Sequence, residues 1–293
     1  MRVRKAVIPA AGFGTRFLPV TKSMPKEMLP VAARPVIQYV VESVVASGID
    51  QIILVTGSNK KAVEDFFDTN FELEWMLEKT GKQELLDEVR RVRDMAEIVY
   101  VRQKQPLGNG HAVLVAQHVV GDEPFLLLWG DDILLGDPPV PKQLLQVAAR
   151  LESPVIGARR VRPQDFEKYG MLEVVPVEDR VSRALSVVEK PRRSDAPSDL
   201  AQIGGFVLTP DIFGVLARLD VGPSGEIYLA DALVHLMEQR PVYAYEFTGR
   251  RYDAGNKFDY LRANIELALE DADIGPQLSE YLRDLDVASV AAS

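Results

Sequence analysis

Short apolar runs alternate with amphipathic stretches along the first part of the chain. Residues 5–9 and 51–56 are apolar runs of strand length, and the stretches after them carry apolar residues at helical spacing. Pro35 begins the first of these helices and Gly48 ends it, and a second helix is predicted over residues 60–67. This β-α-β-α order predicts a parallel sheet covered by helices.

A charged segment then interrupts the alternation. Residues 70–93 are typical of two helices around Gly81 that are too polar for the core of a sheet. We therefore predict an insertion that packs at an edge of the sheet or over a site. A strand over residues 97–101, a loop over 103–110 and a helix over 112–119 follow it.

The second half of the chain begins with the most apolar strand. Residues 124–129 are apolar throughout, which is typical of a central strand, and they end in Gly130-Asp131-Asp132. Further strands are predicted over 155–160, 171–176, 184–188, 203–208 and 242–247, and helices over 141–150, 211–219, 227–238, 257–270 and 277–285. We expect one domain over residues 1–272, followed by a C-terminal helix and tail over 273–293.

The loop after the first strand carries the first candidate chemistry. It contains Gly12, Gly14 and Arg16, and Lys26 stands ten residues later in a segment framed by prolines. Backbone N–H groups can approach anionic oxygens where no Cβ stands in the way, and Arg or Lys neutralises their charge. This arrangement predicts a phosphate-binding loop.

The sequence of this loop admits two other interpretations. A dinucleotide-binding G-x-G-x-x-G motif would need a third glycine where Phe17 stands. It would also need an acidic residue after the second strand, where the chain has Thr56 and Gly57. The remaining alternative is that the glycines only make a turn.

Composition narrows the chemistry further. The chain has 293 residues, of which 47% are hydrophobic and 26% charged, as in ordinary globular proteins. It has no cysteine, which excludes disulfides, zinc–thiolate sites and a cysteine nucleophile. Its three histidines, His111, His118 and His235, are far apart in sequence and are interpreted as surface or packed residues rather than metal ligands.

Charge is unevenly distributed. The net charge of −9 argues against general nucleic-acid binding, yet residues 1–35 carry seven cationic side chains and one acidic one. An acidic chain with one cationic loop suits a small, highly anionic ligand, although the basic N-terminus could simply be solvated. No apolar run approaches the roughly 20 residues of a membrane span, and the N-terminus is a poor signal peptide, so we expect a cytoplasmic protein.

Carboxylates after two strands suggest a metal. Phosphate chemistry without cysteine or a histidine pair favours metal assistance, and Mg²⁺ takes one or two carboxylates together with phosphate oxygens. Asp131 is the first candidate ligand and Asp253 the second, while Asp132 is interpreted as holding the loop. The alternative for Asp131 is a helix cap or turn residue.

Glu189 and Lys190 end another apolar strand. The functional interpretation divides the pair: Glu189 accepts hydrogen bonds from sugar hydroxyls, and Lys190 neutralises a phosphate. The alternative is a charged pair in a surface turn.

Taken together, the motifs resemble the nucleotidyltransferases that make sugar nucleotides, and within them the bacterial uridylyltransferases. The match runs from Lys5 to about Leu269 and includes the helical insertion. Its motifs are A-A-G-F-G-T-R-F-L-P (10–19), P-K-E-M-L-P (25–30), Q-x-x-P-L-G-x-G-H-A-V (103–113), G-D-D (130–132), K-Y-G (168–170), V-E-K-P (188–191), G-E-I-Y-L-A-D-A (225–232) and G-R-R-Y-D-A-G-N-K (249–257). The resemblance implies a three-layer α/β/α, Rossmann-like nucleotidyltransferase fold with a mixed, mainly parallel central sheet.

The resemblance also implies roles for individual residues. It implies nucleotide binding by Ala10, Ala11, Gly12, Gly14, Glu27, Gln103 and Gly108; catalytic phosphate contacts by Arg16, Lys26 and Lys190; sugar binding by Gly170, Glu189 and Lys190; and Mg²⁺ binding by Asp131 and Asp253. Asn109 and Tyr228 depart from the pattern of the family near the expected site.

The implied reaction is UTP plus glucose 1-phosphate giving UDP-glucose and pyrophosphate, with Mg²⁺ as cofactor. A sugar 1-phosphate has a second pKa near 6, as phosphate monoesters generally do, so it attacks the α-phosphorus in line without a general base. One alternative is a thymidylyltransferase or another sugar-1-phosphate nucleotidyltransferase. A more distant one is a catalytically silent sugar-nucleotide sensor. Members of the family commonly form dimers or tetramers, which makes a homodimer or homotetramer the expectation here.

Overall fold

The computed structural model describes residues 1–222 and 224–286. The strands are β1 (Lys5–Pro9), β2 (Pro30–Val31), β3 (Arg34–Pro35), β4 (Gln51–Thr56), β5 (Glu97–Arg102), β6 (Phe125–Leu127), β7 (Asp132–Leu135), β8 (Val155–Arg160), β9 (Gly170–Glu178), β10 (Val181–Glu189), β11 (Leu200–Leu208), β12 (Val242–Glu246) and β13 (Arg250–Asp253). The predicted C-terminal tail from residue 287 onward lies outside the described residues.

Eleven α-helices accompany these strands in the described part of the chain. They are α1 (Val36–Ala46), α2 (Lys61–Phe67), α3 (Phe71–Lys79), α4 (Gln83–Arg93), α5 (Asn109–Leu114), α6 (Gln117–Val120), α7 (Val140–Leu151), α8 (Asp211–Leu216), α9 (Leu229–Gln239), α10 (Lys257–Leu269) and α11 (Gly275–Asp284). Short 3₁₀ turns cover Thr15–Phe17, Val20–Lys22, Lys26–Met28 and Pro163–Lys168.

Nine strands form the central sheet, in the order β5-β4-β1-β6-β11-β8-β12-β10-β9. β5, β4, β1 and β6 pair in parallel, and so do β8 and β12, whereas β11 and β10 run antiparallel to their neighbours. The sheet is therefore mixed and mainly parallel, as the sequence predicted. Because β5, β4, β1 and β6 are parallel, their carboxyl ends lie side by side at one edge, where α/β sheets bind ligands.

Apolar layers cover both faces of the sheet. Along β1, Val7 belongs to one buried cluster, while Ala6 and Ile8 belong to the cluster on the other face. This alternation is the two-residue period of a strand. Residues of α5, α8 and α9 complete the first cluster, and residues of α1, α2 and α7 complete the second. The result is the predicted three-layer α/β/α arrangement.

Helices α3 and α4 form the charged pair predicted for residues 70–93. An ion-pair network joins them, since the buried Glu74 carboxylate accepts hydrogen bonds from Arg90 and Arg93 at 2.9–3.0 Å. Val92 of α4 shares a buried cluster with Val63 of α2. Helices α3 and α4 thus pack beside α2, near the edge strand β5 of the central sheet.

Several predicted elements have different bounds in the structure: the strand predicted over 184–188 spans Val181–Glu189, and the helix predicted over 211–219 ends at Leu216. The helix predicted over 112–119 begins at Asn109 and divides into α5 and α6, because Gly108, with φ +95°, already ends the preceding loop. The strand predicted over 124–129 stops at Leu127. The chain then forms β7, a strand that the sequence did not indicate, which pairs antiparallel with β13 outside the central sheet.

Candidate active site

The loop after β1 folds back on itself and brings Lys26 beside Gly12. A Cβ placed on Gly12 would lie 3.7 Å from the Lys26 ammonium. Gly14 has φ +65°, and its carbonyl accepts a hydrogen bond of 2.7 Å from the Thr21 hydroxyl. Ala10 continues the register of the sheet by donating from its N–H to Val55 at 2.8 Å. The predicted glycines and one predicted cation thus lie together at the carboxyl end of β1.

Asp131 faces this loop from the end of β6. Gly130 donates from its backbone N–H to Pro9 at 3.1 Å, which holds the two strand ends together, and the Asp131 carboxylate pairs with the ammonium of Lys26. Burial opposes both charges, but their attraction outweighs it. The pKa of Lys26 is therefore raised and the pKa of Asp131 lowered.

Asp253 approaches from β13, which places the second predicted metal ligand near the first. A Cβ on Gly255 would lie 2.6 Å from Oδ2 of Asp131 and 3.0 Å from Oδ1 of Asp253, so both carboxylates border the space in front of this glycine. Arg16 reaches the same turn and donates from Nη1 to the Gly255 carbonyl at 3.3 Å. Three predicted site residues therefore meet at Gly255.

The donor set fits a hard divalent cation. Burial, and after it the charge of Asp131, raises the pKa of Asp253, although nearby Arg251 acts in the opposite direction. A cation between the two carboxylates would relieve this repulsion. In the described part of the chain no three His, Cys, Asp or Glu side chains form a complete metal site. Two carboxylates that rely on phosphate and water oxygens are what Mg²⁺ takes in phosphoryl-transfer sites.

Asp132 begins β7 and faces Arg251 of β13. Its buried carboxylate lies 2.7 Å from Nε of Arg251, across the β7–β13 pair, and burial raises its pKa to about 7 despite this partner. Arg251 also donates from Nη1 to the hydroxyl of Tyr169 at 3.2 Å and lies over its ring, 5.4 Å from the centroid. Arg251 thereby links the strand of Asp253 to the segment that begins β9.

That segment carries the predicted sugar-binding residues. Gly170 pairs directly with Glu189 across β9 and β10, and a Cβ on Gly170 would meet the amide of Gln202 at 2.3 Å. Lys190 donates from its backbone N–H to Tyr169 at 3.1 Å, and its exposed ammonium lies 3.3 Å from Glu189. The structure brings Gly170, Glu189 and Lys190 together.

A cavity of about 1040 Å³ connects this region to the phosphate loop, since Arg16, Asp253 and Lys190 all line it. Most of its other charged lining residues are cationic. These are Arg159, Arg160, Arg162, Lys168, Arg251 and Arg262, against Asp165, Glu167 and Asp259. The cavity therefore suits an anion.

Gln103 and Gly108 lie apart from this cavity, beyond the end of β5. Gln103 donates from its backbone N–H to Thr56 at 2.9 Å, and its side-chain amide donates to the Gly108 carbonyl at 3.1 Å. Gly57, which follows β4, stands between them and the first loop, because a Cβ there would lie 3.2 Å from the Ala11 carbonyl. The edge thus runs from Gln103 through Ala11 to Asp131, following the strand order β5-β4-β1-β6.

Glu27 lies beneath the phosphate loop rather than on its surface. Its side chain and that of Lys60 are each 1% exposed and form an ion pair of 2.6 Å. Burial raises the pKa of Glu27 and lowers that of Lys60, because each charge is removed from water. A direct contact of Glu27 with nucleotide stays a prediction.

The comparison with protein families adds an independent observation. The family model described as nucleotidyl transferase matches residues 5–270. The chain belongs to the nucleotidyl transferase family. It is 46% identical over 284 residues to the UTP–glucose-1-phosphate uridylyltransferase of Bacillus subtilis strain 168, and the match covers 97% of each chain.

Solved structures of nucleotidyl transferases agree. UTP-bound UGPase from Acinetobacter baumannii is 38% identical and superimposes with a TM-score of 0.90, over 97% of this chain and 100% of that one. A crystal structure of UDP-glucose pyrophosphorylase complexed with UDP-glucose is also 38% identical, with a TM-score of 0.85 over 92% of this chain and 100% of that one.

Three residues near the site in this nucleotidyl transferase were missed by sequence reasoning. Lys60 stands in the polar run Asn59-Lys60-Lys61, where nothing marks one lysine as buried. His111 is consistent with the prediction of a surface or packed residue, but its contact with Gln103 was not predicted. Arg251 was open to prediction, because residues two apart on a strand share a face and Asp253 was already a candidate.

The two departures from the family pattern lie beside each other. The side-chain carbonyl of Asn109 accepts a hydrogen bond of 2.9 Å from the N–H of Leu229, at the first turn of α9, next to Tyr228. Asn109 therefore satisfies a backbone donor that has no partner inside the helix.

None of the helices in the described part of the chain has both the length and the apolar character of a membrane span.

Proposed function

We propose that this protein transfers the uridylyl group of UTP to glucose 1-phosphate, which gives UDP-glucose and pyrophosphate. The observation that carries the proposal is the meeting of Arg16, Lys26, Asp131 and Asp253 at the carboxyl edge of the sheet, beside the cationic cavity that contains Lys190. The uridylyltransferase of Bacillus subtilis, 46% identical over nearly the whole chain, supports the choice of substrates.

Charge repulsion is the main obstacle in this reaction. A phosphate monoester dianion must approach the α-phosphorus of a polyanionic triphosphate, and it is already a sufficient nucleophile at neutral pH. In the proposed mechanism Arg16 and Lys26 bind the triphosphate, while Lys190 binds the phosphate of the sugar. The cations lower the repulsion and hold the attacking oxygen in line with the departing pyrophosphate.

Asp131 and Asp253 would hold Mg²⁺, which supplies additional charge neutralisation when it is bound. The Lys26 ammonium pairs with the Asp131 carboxylate, and an incoming phosphate would draw the ammonium away. Asp131 would then be free to bind the cation. Arg251 keeps Asp253 in place by fastening β13 to Asp132.

The remaining predicted residues divide between base and sugar. We propose that Ala10, Ala11, Gly12 and Gly14 hold the nucleotide by their backbone, with Gln103 and Gly108 at the base and Glu27 supporting the loop. Gly170 and Glu189 would contact the sugar. Gln103, Ala11 and Asp131 follow one another along the edge of the sheet, and the cavity lined by Arg16 and Lys190 joins the phosphate loop to the sugar-binding residues. Both observations support this assignment.

A pyrophosphate-release assay tests the proposal. The purified protein is incubated with Mg²⁺ and each of UTP, dTTP, CTP and GTP against several sugar 1-phosphates. We expect the highest kcat/KM with UTP and glucose 1-phosphate. The thymidylyltransferase alternative is not favoured by the relatives. A preference for dTTP would nevertheless replace the proposal by that alternative, and absence of turnover with every nucleotide would indicate a silent sugar-nucleotide sensor.

We also propose a homodimer or homotetramer that acts in the cytoplasm, where UTP and sugar phosphates are available. Leu261, Ile265 and Leu269 are exposed at four-residue spacing along α10, which supports association through this helix. We treat residues 1–272 as the catalytic domain and 273–293 as its C-terminal extension. Light scattering on the purified protein would give its mass, and a monomer would contradict the oligomer.

A further inference from the structure

The side-chain amide of Gln103 has a fixed orientation. Its nitrogen donates to the carbonyl of Gly108 at 3.1 Å and lies 3.0 Å from Nδ1 of His111. A carbonyl oxygen only accepts hydrogen bonds, so the amide nitrogen, and not its oxygen, must face Gly108. The second amide hydrogen then points to Nδ1, which can accept it only if Nδ1 carries no proton.

His111 is in the form that this contact requires. Burial lowers its pKa, although the nearby backbone of Gln105 acts in the opposite direction, so the imidazole is neutral at pH 7. With Nδ1 unprotonated, the proton of the neutral ring is on Nε2. His111 therefore presents an acceptor to Gln103.

The backbone around His111 is held by α9 and the segment before it. Gly110 donates to the Ile227 carbonyl at 2.9 Å, and Leu229 donates to the Asn109 side chain at the same distance. A Cβ on Gly108, which has φ +95°, would lie 2.7 Å from the Ile227 oxygen. This close approach leaves the segment that carries Gly108 and His111 little freedom, so both acceptors have fixed positions.

We propose that His111 is a positioning residue for base selectivity, holding Gln103 so that its Oε1 faces the nucleotide as an acceptor. This inference rests on the proposed uridylyl transfer. Uracil has one ring donor on its pairing edge, N3–H, which is the group that an oxygen at this position would bind. Cytosine carries an unprotonated N3 there, so two acceptors would face each other, and its only donor is the exocyclic amine.

Two substitutions at one position separate this role from a structural one. His111→Leu removes the acceptor, whereas His111→Asn keeps a side-chain oxygen near the place of Nδ1. We expect His111→Leu to raise the KM for UTP by about tenfold and to narrow the UTP-to-CTP ratio of kcat/KM by about the same factor, with little change in the KM for glucose 1-phosphate. His111→Asn should restore most of both values.

A third nucleotide tests the contact directly. N3-methyl-UTP keeps both carbonyls of uracil but lacks the N3–H donor, and we expect the wild-type enzyme to use it at least tenfold less efficiently than UTP. The inference is overturned if N3-methyl-UTP is as good a substrate as UTP, if His111→Leu leaves the UTP-to-CTP ratio unchanged, or if His111→Asn behaves like His111→Leu.

The outcomes also distinguish the inference from the proposed function. If the wild-type enzyme turns over UTP and any of these three results is obtained, only the inference about His111 and Gln103 is overturned. A wild-type enzyme without UTP turnover overturns both. A thermal unfolding scan of each variant, compared with wild type, identifies a variant that loses activity because it is unfolded. Should His111→Leu not fold, His111→Ala, which also removes the acceptor, takes its place in the comparison with His111→Asn.

Discussion

Lys26 and Asp131 neutralise each other at the centre of the site. Each charge is partly buried, and the pKa shifts of both groups favour the ionised pair. An incoming phosphate competes with Asp131 for the ammonium, and a divalent cation competes with Lys26 for the carboxylate. The ion pair therefore keeps both side chains ionised. The ammonium would then bind the triphosphate, and the carboxylate would bind its metal ion.

The substitution Asp131→Asn tests this role. It preserves the shape of the side chain but removes the charge, so we expect turnover to fall by about 100-fold or more while the protein remains folded. Steady-state kinetics with UTP and glucose 1-phosphate measure the effect, and circular dichroism checks the fold. The exposed Asp122, changed to Asn, is the control. Nearly normal turnover in Asp131→Asn would show that the metal assignment is wrong.

Lys60 and Glu27 present a different case, because neither charge of this pair is accessible to solvent. Removing one partner leaves the other buried and unpaired, which costs about 3–5 kcal/mol. We expect Lys60→Met to lower the free energy of unfolding by this amount, and the double variant with Glu27→Gln to recover part of it. Urea unfolding measures both.

The adjacent Lys61 supplies the matched control for that experiment. Its side chain is 85% exposed and lies 4.0 Å from Asp65, so Lys61→Met should change the free energy of unfolding by less than about 0.5 kcal/mol. Equal effects at residues 60 and 61 would contradict the stabilising role of the buried pair.

At the scale of elements, the sequence predicted the sheet and most of its helices but not the β7–β13 pair. Residues 51–56 and 155–160 were predicted to the residue, because their apolar runs have clear ends. Only four residues separate β7 from β6, and its partner β13 is more than a hundred residues away. Such pairing depends on tertiary contacts that local patterns do not contain.

The candidate site shows the same division. Arg16, Lys26 and Asp131 were predictable because glycines, prolines or a strand end mark them in the sequence. The burial of Lys60 and the contact of His111 with Gln103 were not, because each depends on segments that only folding brings together. Local signals thus predicted residues that the structure brings together at the site, and missed contacts between segments that are distant in the sequence.

Arg251 offers a test of the β7–β13 pair. Its planar guanidinium contacts both Asp132 and Tyr169, a geometry that a lysine ammonium does not reproduce. We expect Arg251→Lys to lower the free energy of unfolding by about 1–3 kcal/mol and to reduce kcat, since Asp253 lies two residues along the same strand. Urea unfolding and steady-state kinetics measure the two effects.

Arg250 provides the control for that substitution. It precedes Arg251 on β13, is exposed, and pairs with Glu270 at the surface. Arg250→Lys should therefore leave kcat unchanged and alter the free energy of unfolding by no more than about 0.5 kcal/mol. If the two substitutions had the same effect, the link from Arg251 to Asp132 would not be what holds β13.

At the scale of the whole molecule, the cationic side chains of the cavity contrast with the negative net charge of the chain. The chain carries a net charge of −9, yet in the described structure the cavity beside the phosphate loop is lined by twice as many cationic as acidic side chains. A concave surface of one sign concentrates ligands of the other and raises their rate of association. The rest of the chain, which carries the excess of acidic residues, would repel polyanions that are too large for the cavity, including nucleic acids.

This separation predicts a dependence on ionic strength. Raising KCl from 20 to 300 mM shortens the screening length from about 20 Å to about 6 Å, which is less than the width of such a cavity. We expect the KM for UTP and for glucose 1-phosphate to rise by about threefold or more, because both bind as anions. The kcat should change less, since in the proposed mechanism the bound phosphates contact Arg16, Lys26 and Lys190 at distances too short for screening. Sucrose at matched osmolality is the control, and KM values independent of salt would mean that the cationic lining does not attract the substrates over distance.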